Sequence, residues 1–329
     1  MTSEAAGRAR VLLVGMGPTT ETALESLLER FDVVGLVRVA PPDDPTLALA
    51  ASAGVPVHSD ATLAALTELV AVVRPDCVVV SSYDRILPAS LVATCPFVNV
   101  HYAPLPRYRG RATVNWAILN DEPETAITVH TLAPGLDAGG ILHQEAVAIG
   151  SDDTVTDVYE RLNGLQRKVL ADAVARRLSG DEGGPQDEHK ATYACTRVPD
   201  DGEIEWWAPT VVVYRLVRAL TPPFPGAFTW LGLRRLEIWR AAPVDDAPVY
   251  DGRVPGRVVR VSRGEGLDDG WVDVLTGDGV LRLYEVRVEG SAPVPANKLI
   301  RSVKTTLGLR TADLVRALAQ VIDDFPPRS

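Results

Sequence analysis

Three apolar runs, separated by segments with helical spacing, constrain the fold of this chain more than any other feature. The runs are Val11–Val14, Phe31–Val39 and Asp76–Ser81, and valine dominates them. Short continuous apolar runs are typical of strands that are buried on both faces. Because helical segments separate the runs, the βαβαβ order predicts a parallel sheet with right-handed crossovers. We therefore expect an α/β domain at the start of the chain.

A turn with two glycines, Gly15-Met16-Gly17, follows the first run. The dinucleotide-binding fingerprint GxGxxG would require a third glycine at position 20, where the chain has Thr20. The motif is therefore incomplete. We prefer a tight turn at a strand end over a dinucleotide site.

The second part of the chain has a different pattern, which begins near Ile204. Short apolar runs alternate with turn signals, as in small β-barrels. These runs are Ala227–Trp230, Leu236–Arg240, Gly256–Val261, Trp271–Leu275 and Val280–Val288. A chain of 329 residues is long enough for two cores. The predicted division is an N-terminal domain over 1–190, a hinge over 191–206 and a C-terminal domain over 207–329 that ends in helices at 297–307 and 311–323.

Composition and charge exclude several classes of protein. No apolar run approaches the roughly 18 residues of a membrane span, and the first ten residues lack the apolar core of a signal peptide, so we expect a cytoplasmic protein. The three cysteines have no CxxC spacing and there is no HExxH motif, so neither a disulfide framework nor a metal is expected. The net charge of −10 disfavours nucleic acid as a partner.

Two polar side chains share one face of a further predicted strand, Val98–His101. Because side chains alternate along a strand, Asn99 and His101 point to the same side. A loop with two prolines then ends the ladder. A later strand, Thr125–Leu132, precedes a glycine-rich loop that contains Asp137. If both strands belong to the parallel sheet, their carboxyl ends share one edge, and His101 and Asp137 meet there.

The motifs around these residues occur in a characteristic order. They are Asn99-Val100-His101, Leu105-Pro106-Arg107-Tyr108-Arg109-Gly110, Asn115-Trp116 and Gly135-Leu136-Asp137-Ala138-Gly139. In this order the chain resembles the formyltransferases that use 10-formyltetrahydrofolate, and the resemblance extends from about Arg10 to about Arg301. It implies an α/β fold, with a Rossmann-like formyltransferase domain built on a parallel sheet, followed by a small OB-like β-barrel domain.

The resemblance also implies roles for individual residues. Asn99, His101 and Asp137 are the implied catalytic residues. Formyl transfer to an amine requires a donor to the developing oxyanion and an acceptor for the amine proton. Asn99 supplies the first, His101 a second donor or a proton shuttle, and Asp137 orients the imidazole and favours its charged form. His130 and His143 do not fall on the catalytic position and are expected to be structural or peripheral.

Contacts with the two substrates are implied for two further sets of residues. The folate contacts are Ile86, Leu87, Leu105 and Pro106. The expected acceptor contacts are Arg109, Arg111, Asn115 and Trp116, beside Arg107. Ordinary loop, helix-start and packing roles are the alternatives for these residues. Residues 179–189, rich in glycine and acid, are interpreted as a surface linker.

The amine acceptor is the least constrained part of the sequence interpretation. The loop after Pro106 is nearer to the enzymes that formylate nucleotide-linked amino sugars, or hydroxyornithine in siderophore and peptide biosynthesis, than to methionyl-tRNA formyltransferase. A nucleotide-linked amino sugar, used in surface-sugar assembly or bacterial secondary metabolism, is favoured. Hydroxyornithine and methionyl-tRNA are the alternatives, and an inactive folate-binding module is the alternative of a different class. Hydrolysis of formyltetrahydrofolate ranks low, because those enzymes usually carry an extra N-terminal domain.

Overall fold

The computed structural model describes residues 7–324 and divides them into two compact units. The first unit consists of the described residues up to Val114, Pro123–Gly150 and Asp157–Thr196. The second consists of Asn115–Glu122, Ser151–Thr156 and the described residues from Arg197 onward. The main division after Thr196 falls inside the predicted hinge of 191–206. The predicted ends of the two domains, residues 1 and 329, lie outside the described residues. Residues 1–6, which were part of the argument against a signal peptide, also lie outside them.

The chain up to residue 196 forms helices and strands in alternation. In order they are β1 (Arg10–Val14), α1 (Thr20–Arg30), β2 (Asp32–Val37), α2 (Pro45–Ser52), β3 (Val57–His58), α3 (Leu63–Val73), β4 (Cys77–Ser81), α4 (Ala89–Val92), β5 (Phe97–His101), β6 (Arg109–Gly110), α5 (Thr113–Leu119), β7 (Glu124–Thr131), β8 (Ile141–Ala148), α6 (Val155–Leu178) and β9 (Tyr193–Ala194).

A seven-stranded sheet forms the centre of the first unit, in the order β3-β2-β1-β4-β5-β7-β8. The first five strands of this order are parallel, as predicted. Their buried side chains, among them Leu12, Val14, Val78 and Val80, form a core with α3 and α4. The order of the strands reverses between β1 and β4, which is where ligands bind in open α/β sheets. Gly15 follows β1 at this point, and a Cβ there would lie 2.7 Å from the Ser81 carbonyl oxygen.

Two of the helices begin where the sequence supplies a capping side chain. Asp44 accepts a hydrogen bond from the Thr46 amide, and Pro45 occupies the first turn of α2. Thr62 accepts from the Ala65 amide at the start of α3. These caps satisfy amide groups that have no partner within the helix.

The direction of β7 differs from the prediction. β7 and β8 pair antiparallel, so the sheet is mixed. A parallel return to the sheet needs a crossover helix packed on that sheet. The only helix described between β5 and β7 is α5, and its residues from Asn115 onward belong to the second unit. The β8 strand itself was missed, because its middle residues, Glu145 and Ala146, are exposed and its apolar alternation is broken.

The second unit contains an antiparallel sheet. Its elements are α7 (Thr210–Ala219), β10 (Ala227–Leu231), β11 (Arg234–Pro243), β12 (Val258–Val261), β13 (Val272–Leu275), β14 (Val280–Val288), β15 (Val294–Pro295), α8 (Ala296–Leu299) and α9 (Thr311–Asp324). The strand order is β10-β11-β14-β13-β12, and β15 pairs with β14. The five predicted runs are therefore strands, and their closure into an OB-like barrel stays a prediction.

The predicted helix at 297–307 is wrong. The helix α8 ends at Leu299, and the chain then runs beside β12, where the Val258 amide donates to the Thr305 carbonyl (3.0 Å) and the Leu307 amide to the Gly256 carbonyl (2.7 Å). Ile300 and Leu307 are both buried in the core of this unit. Backbone pairing with an otherwise open strand edge outweighs the helical spacing of the segment. None of the helices within residues 7–324 has an apolar stretch long enough to cross a bilayer.

Candidate active site

The strand β5 presents Asn99 and His101 on one face of the sheet, as the alternation predicts. In the antiparallel register with β7, Asn99 pairs with His130 and His101 pairs with Thr128. Paired residues of neighbouring strands point to the same side of a sheet. The face therefore carries two histidines, an asparagine and a threonine before any loop residue is added.

Asp137 reaches this face by a route that the sequence did not predict. Because β7 is antiparallel to β5, its carboxyl end lies beside Val98 rather than beside His101. The turn that follows β7 folds back over the face, which brings a carboxylate oxygen of Asp137 to 3.8 Å from His101 Nδ1. The predicted meeting of the two side chains is present, although the strand direction on which it was argued is wrong.

The turn that carries Asp137 depends on a glycine. A Cβ on Gly139 would lie 1.6 Å from the Thr131 carbonyl oxygen, so only glycine fits beside β7 at this point. Asp137 itself has a φ of 48°, in the left-handed region that aspartate tolerates better than most residues. The Gly110 amide donates to Asp137 Oδ2 at 2.8 Å, which holds the carboxylate.

The imidazole of His101 is oriented by the loop that follows β5. Its Nε2 lies 2.8 Å from the carbonyl oxygen of Tyr108. Because a carbonyl only accepts, Nε2 carries a hydrogen, and in the neutral ring Nδ1 holds the lone pair. Nδ1 faces Asp137, and 3.8 Å is too long for a hydrogen bond. The carboxylate is close enough to stabilise a proton on Nδ1 by charge.

His130 is a fourth member of the cluster, although the sequence placed it in a structural or peripheral position. Its Nδ1 donates to the Thr131 carbonyl (2.8 Å), which leaves Nε2 to accept from the Asn99 side-chain amide (3.0 Å). Complete burial lowers the pKa of His130 to about 4, against the opposing influence of Asp137. The ring is therefore neutral near pH 7 and fixes the direction of the Asn99 amide. The alternation of side chains along β7 could have identified His130, because it pairs with Asn99 and so lies on the same face.

His143 serves as a contrast to His130. His143 lies on β8 and pairs with Val129 of β7, the neighbour of His130. Because neighbouring residues of a strand point to opposite faces, His143 points away from the face that carries His130. Its partner is Glu145, at 3.4 Å. This placement is consistent with the peripheral position expected from the sequence.

Two of the residues predicted to contact the acceptor differ sharply in exposure. Arg111 is exposed. Arg109 is only 2% exposed, and its guanidinium donates to Glu188 and Gln186. Because these donors are already engaged inside the protein, the structure argues against direct contact between Arg109 and the acceptor.

The other two predicted acceptor residues belong to the second unit. Asn115 is 1% exposed, and its amide donates to the Ala219 carbonyl at 2.6 Å. Trp116 is half-buried and stacks with the Arg197 guanidinium at 5.0 Å. Helix-start and packing roles, which were the alternatives, agree with these contacts better than acceptor binding does.

The residues predicted to bind the folate lie in the first unit and differ in exposure. Ile86 follows β4 and is 83% exposed, while Leu87 is half-buried and packs against the core that includes Val78 and Val80. Leu105 is buried and Pro106 is half-buried. Ile86 therefore presents an apolar surface to solvent in the loop after β4.

Metal chemistry has no structural support in the part of the chain that the structure describes. There, no group of three or more His, Cys, Asp or Glu side chains is arranged to hold a metal ion. The cluster of Asn99, His101, His130 and Asp137 is instead suited to hydrogen bonding and proton transfer.

The fold and the cluster together define an α/β domain in which Asn, His and Asp converge on one face of the sheet, followed by an antiparallel β domain. Two family models match this arrangement. The model described as formyl transferase matches residues 29–174, and the model described as formyl transferase, C-terminal domain, matches residues 198–304. The chain belongs to the formyl transferase family.

Solved structures share the fold at low sequence identity. HypX from Aquifex aeolicus in complex with tetrahydrofolic acid is 17% identical, with a TM-score of 0.68 over 90% of this chain and 48% of that one. WlaRD, a sugar 3N-formyl transferase solved with dTDP and 5-N-formyl-THF, is 15% identical, with a TM-score of 0.61 over 87% and 100%. A sugar N-formyltransferase from a Shewanella species is 22% identical, with a TM-score of 0.52 over 67% and 92%. The chain spans about half the length of HypX.

Proposed function

We propose that this chain transfers a formyl group from 10-formyltetrahydrofolate to a primary amine or hydroxylamine of a small molecule. The observation that carries the proposal is the convergence of Asn99, His101 and Asp137 on one face of the sheet, with His101 Nδ1 3.8 Å from Asp137. These three groups supply an oxyanion donor, a proton acceptor and a charge that stabilises the protonated acceptor.

Asn99 stabilises the oxyanion that forms when the amine attacks the formyl carbon. One of its N–H bonds is directed at His130 Nε2. The second N–H is then held in a fixed direction and donates to the developing oxygen charge. A preorganised donor of this kind contributes roughly 3 kcal/mol to transition-state stabilisation.

His101 takes the proton that the attacking amine must lose. Its Nε2–H remains on the Tyr108 carbonyl, so the proton goes to Nδ1. The imidazolium is then stabilised by the Asp137 carboxylate, which the Gly110 amide keeps in place. From there the proton passes to the leaving nitrogen of the folate, which restores the neutral imidazole.

The folate site is proposed on the same unit. Ile86 and Leu87 after β4, with Leu105 and Pro106 after β5, follow two adjacent parallel strands. The carboxyl ends of such strands line the ligand crevice. HypX was solved in complex with tetrahydrofolic acid and WlaRD in the presence of 5-N-formyl-THF, which supports a folate as the formyl donor of this chain too.

A nucleotide-linked amino sugar is the acceptor that we favour. The loop sequence Arg107-Tyr108-Arg109-Gly110-Arg111 resembles that of sugar-formylating enzymes, and Arg107 and Arg111 are exposed on it. A phosphate needs only one or two such arginines. We expect Arg111→Ala to raise the KM for a nucleotide-linked acceptor about tenfold with little change in kcat, as measured by steady-state kinetics. An unchanged KM would remove Arg111 from the acceptor site.

Methionyl-tRNA is the second candidate, because the fold gathers arginines that are scattered in the sequence. Within the second unit, the face of the sheet opposite the core carries Arg235, Arg240, Arg260, Arg282 and Arg287, with Trp271 between Arg260 and Arg282. Arginines interleaved with aromatic rings are typical of nucleic-acid surfaces. Each of these arginines, however, lies within 4.0 Å of an Asp or Glu, so the face carries little net charge.

An acceptor screen tests the proposed function. The full chain is incubated with 10-formyltetrahydrofolate and, separately, nucleotide-linked amino sugars, hydroxyornithine and methionyl-tRNA, and the release of tetrahydrofolate is followed. We expect turnover with an amino sugar that is lost in Asn99→Ala and kept in His143→Ala, whose side chain faces away from the cluster. Release that needs no amine would assign hydrolysis instead, and no release with any acceptor would favour a folate-binding module.

A further inference from the structure

The segment after α6 runs along the loops that carry His101 and Asp137, although the sequence was interpreted there as a surface linker. Gly184 exchanges two backbone hydrogen bonds with Ile141, at 2.7 and 2.9 Å. Farther along, the Thr192 carbonyl accepts from the Arg109 amide (2.8 Å), and the Thr192 hydroxyl accepts from the Tyr108 amide (2.9 Å). We call residues 184–194 the strap.

Gln186 is where the strap meets the turn that carries Asp137. Its Nε2 donates to the carbonyl oxygens of Asp137 (2.7 Å) and Gly139 (2.8 Å), and its Oε1 accepts from Arg109 (2.8 Å). Carbonyls only accept and a guanidinium only donates, so the amide has one possible orientation. Gln186 therefore fixes the backbone of the turn on both sides of Ala138.

Arg109 and Glu188 hold Gln186 in this position. The buried guanidinium forms a bidentate pair with Glu188, at 2.8 and 2.7 Å, while it also donates to Gln186. Bidentate pairs of this kind restrict both partners in distance and in angle. The Arg109 guanidinium lowers the pKa of Glu188, which keeps the carboxylate charged.

The neighbours of Arg109 contact both catalytic side chains. The Tyr108 carbonyl accepts from His101 Nε2, and the Gly110 amide donates to Asp137 Oδ2. One three-residue segment therefore orients His101 and Asp137, and its central residue is bonded to the strap. The Asp137 turn therefore has two restraints: the Gly110 amide holds the side chain of Asp137, and Gln186 of the strap holds the backbone of the turn.

We propose that Gln186 is a positioning residue for formyl transfer, held in place by Arg109 and Glu188. It keeps the Asp137 turn where the carboxylate faces His101 Nδ1 at 3.8 Å. Without its two N–H donors, the turn moves away and the protonated imidazole loses its stabilising charge. The inference rests on the proposed function, since the role concerns that reaction.

Gln186→Glu tests this role with almost no change of shape. The new carboxylate still accepts from Arg109 but cannot donate to the Asp137 and Gly139 carbonyls. We expect kcat to fall about 10- to 100-fold, as misplacement by an ångström does, with the folate KM changed less than threefold. Lys190→Ala, an exposed change on the same strap, should behave as the wild type.

A readout that needs no turnover separates this inference from the proposed function. The Gly110 amide reports on the position of Asp137, so its hydrogen exchange should accelerate in Gln186→Glu and not in Lys190→Ala. Accelerated exchange in a chain that transfers no formyl group would retain the positioning role and reject the proposed reaction. A wild-type kcat together with wild-type Gly110 exchange in Gln186→Glu would overturn the inference, as would a raised KM with unchanged kcat.

Discussion

His130 shows how burial selects the protonation state of a single residue. Its ring is fully buried, and its two nitrogens form hydrogen bonds with the Thr131 carbonyl and the Asn99 side-chain amide. A charged ring would lose one of these contacts, because Nε2 could no longer accept. Burial and the hydrogen bond from Asn99 therefore favour the neutral form, and burial outweighs the Asp137 charge and the Thr131 hydrogen bond, both of which raise the pKa.

The stability of the chain should depend on pH through this histidine. His130 has a pKa of about 4 in the folded state and about 6.5 in the unfolded chain. Between pH 4 and pH 6.5 the unfolded chain therefore binds a proton at His130 that the folded protein does not. Stability is therefore full above pH 6.5 and declines as the pH falls, by about 2 kcal/mol between pH 7 and pH 5. Denaturant unfolding of the wild type and of His130→Gln at both pH values measures this contribution.

The variant should lose less stability than the wild type between pH 7 and pH 5, since glutamine does not titrate. Equal losses in the two proteins would show that His130 is protonated as easily in the folded state as in the unfolded chain.

At the level of elements, the sequence predicted correctly which side chains share a face of a strand, but it did not predict the direction of β7 in the sheet. Alternation placed Asn99 and His101 on one face, which the structure confirms. The direction of β7 depends on how the connection over 102–123 returns to the sheet, and no local pattern in that segment states it. The turn after β7 folds back over the sheet and brings Asp137 to His101. This path depends on the close approach of Gly139 to Thr131.

Substitution of this glycine should separate turn geometry from the chemistry of the cluster. Gly139→Ala places a methyl group against the Thr131 carbonyl, and overpacking of this kind usually costs roughly 1–3 kcal/mol or displaces the backbone. We expect a lower melting temperature and a loss of turnover, measured by thermal unfolding and by tetrahydrofolate release.

Gly184→Ala is the matched control on the opposing strap. A Cβ there has its nearest neighbour at 4.0 Å, the Ile141 carbonyl oxygen, and the backbone hydrogen bonds remain. It should resemble the wild type in both assays. A tolerated Gly139→Ala would show that the turn has room to move without loss of function.

For the whole molecule, the sequence predicted two units and the order of most elements, but not the interactions that join distant segments. Residues 179–189, which include the first part of the strap, were interpreted as a surface linker because they are rich in glycine and acidic residues. The hydrogen bonds of Gln186 with Arg109 and with the Asp137 turn join residues that are 47 or more positions apart in the sequence, which local patterns do not encode. The arginines of the second unit are a similar case, since they are separated along the chain and share a face only in the folded sheet.

The charge of the molecule gives a prediction about its acceptor. The arginine face is neutralised by neighbouring carboxylates, and the chain as a whole carries −10. Binding to tRNA releases counterions in proportion to the phosphates that are neutralised. We therefore expect no formylation of methionyl-tRNA and no steeply salt-dependent tRNA binding in a gel-shift titration at 50–200 mM salt, a range chosen because specific electrostatic binding changes strongly across it. Tight binding that weakens with salt would move the assignment to the tRNA enzyme.

The central claim is that Asn99, His101 and Asp137 act as one catalytic unit for formyl transfer, and a double-mutant cycle on kcat measures this most directly. With an active acceptor, Asn99→Ala should lower kcat about 100- to 1,000-fold and His101→Ala about 100- to 10,000-fold. The double variant should be little worse than the poorer single variant, because residues that act as a unit are not additive. A wild-type kcat in His101→Ala, or losses that multiply in the double variant, would contradict the account.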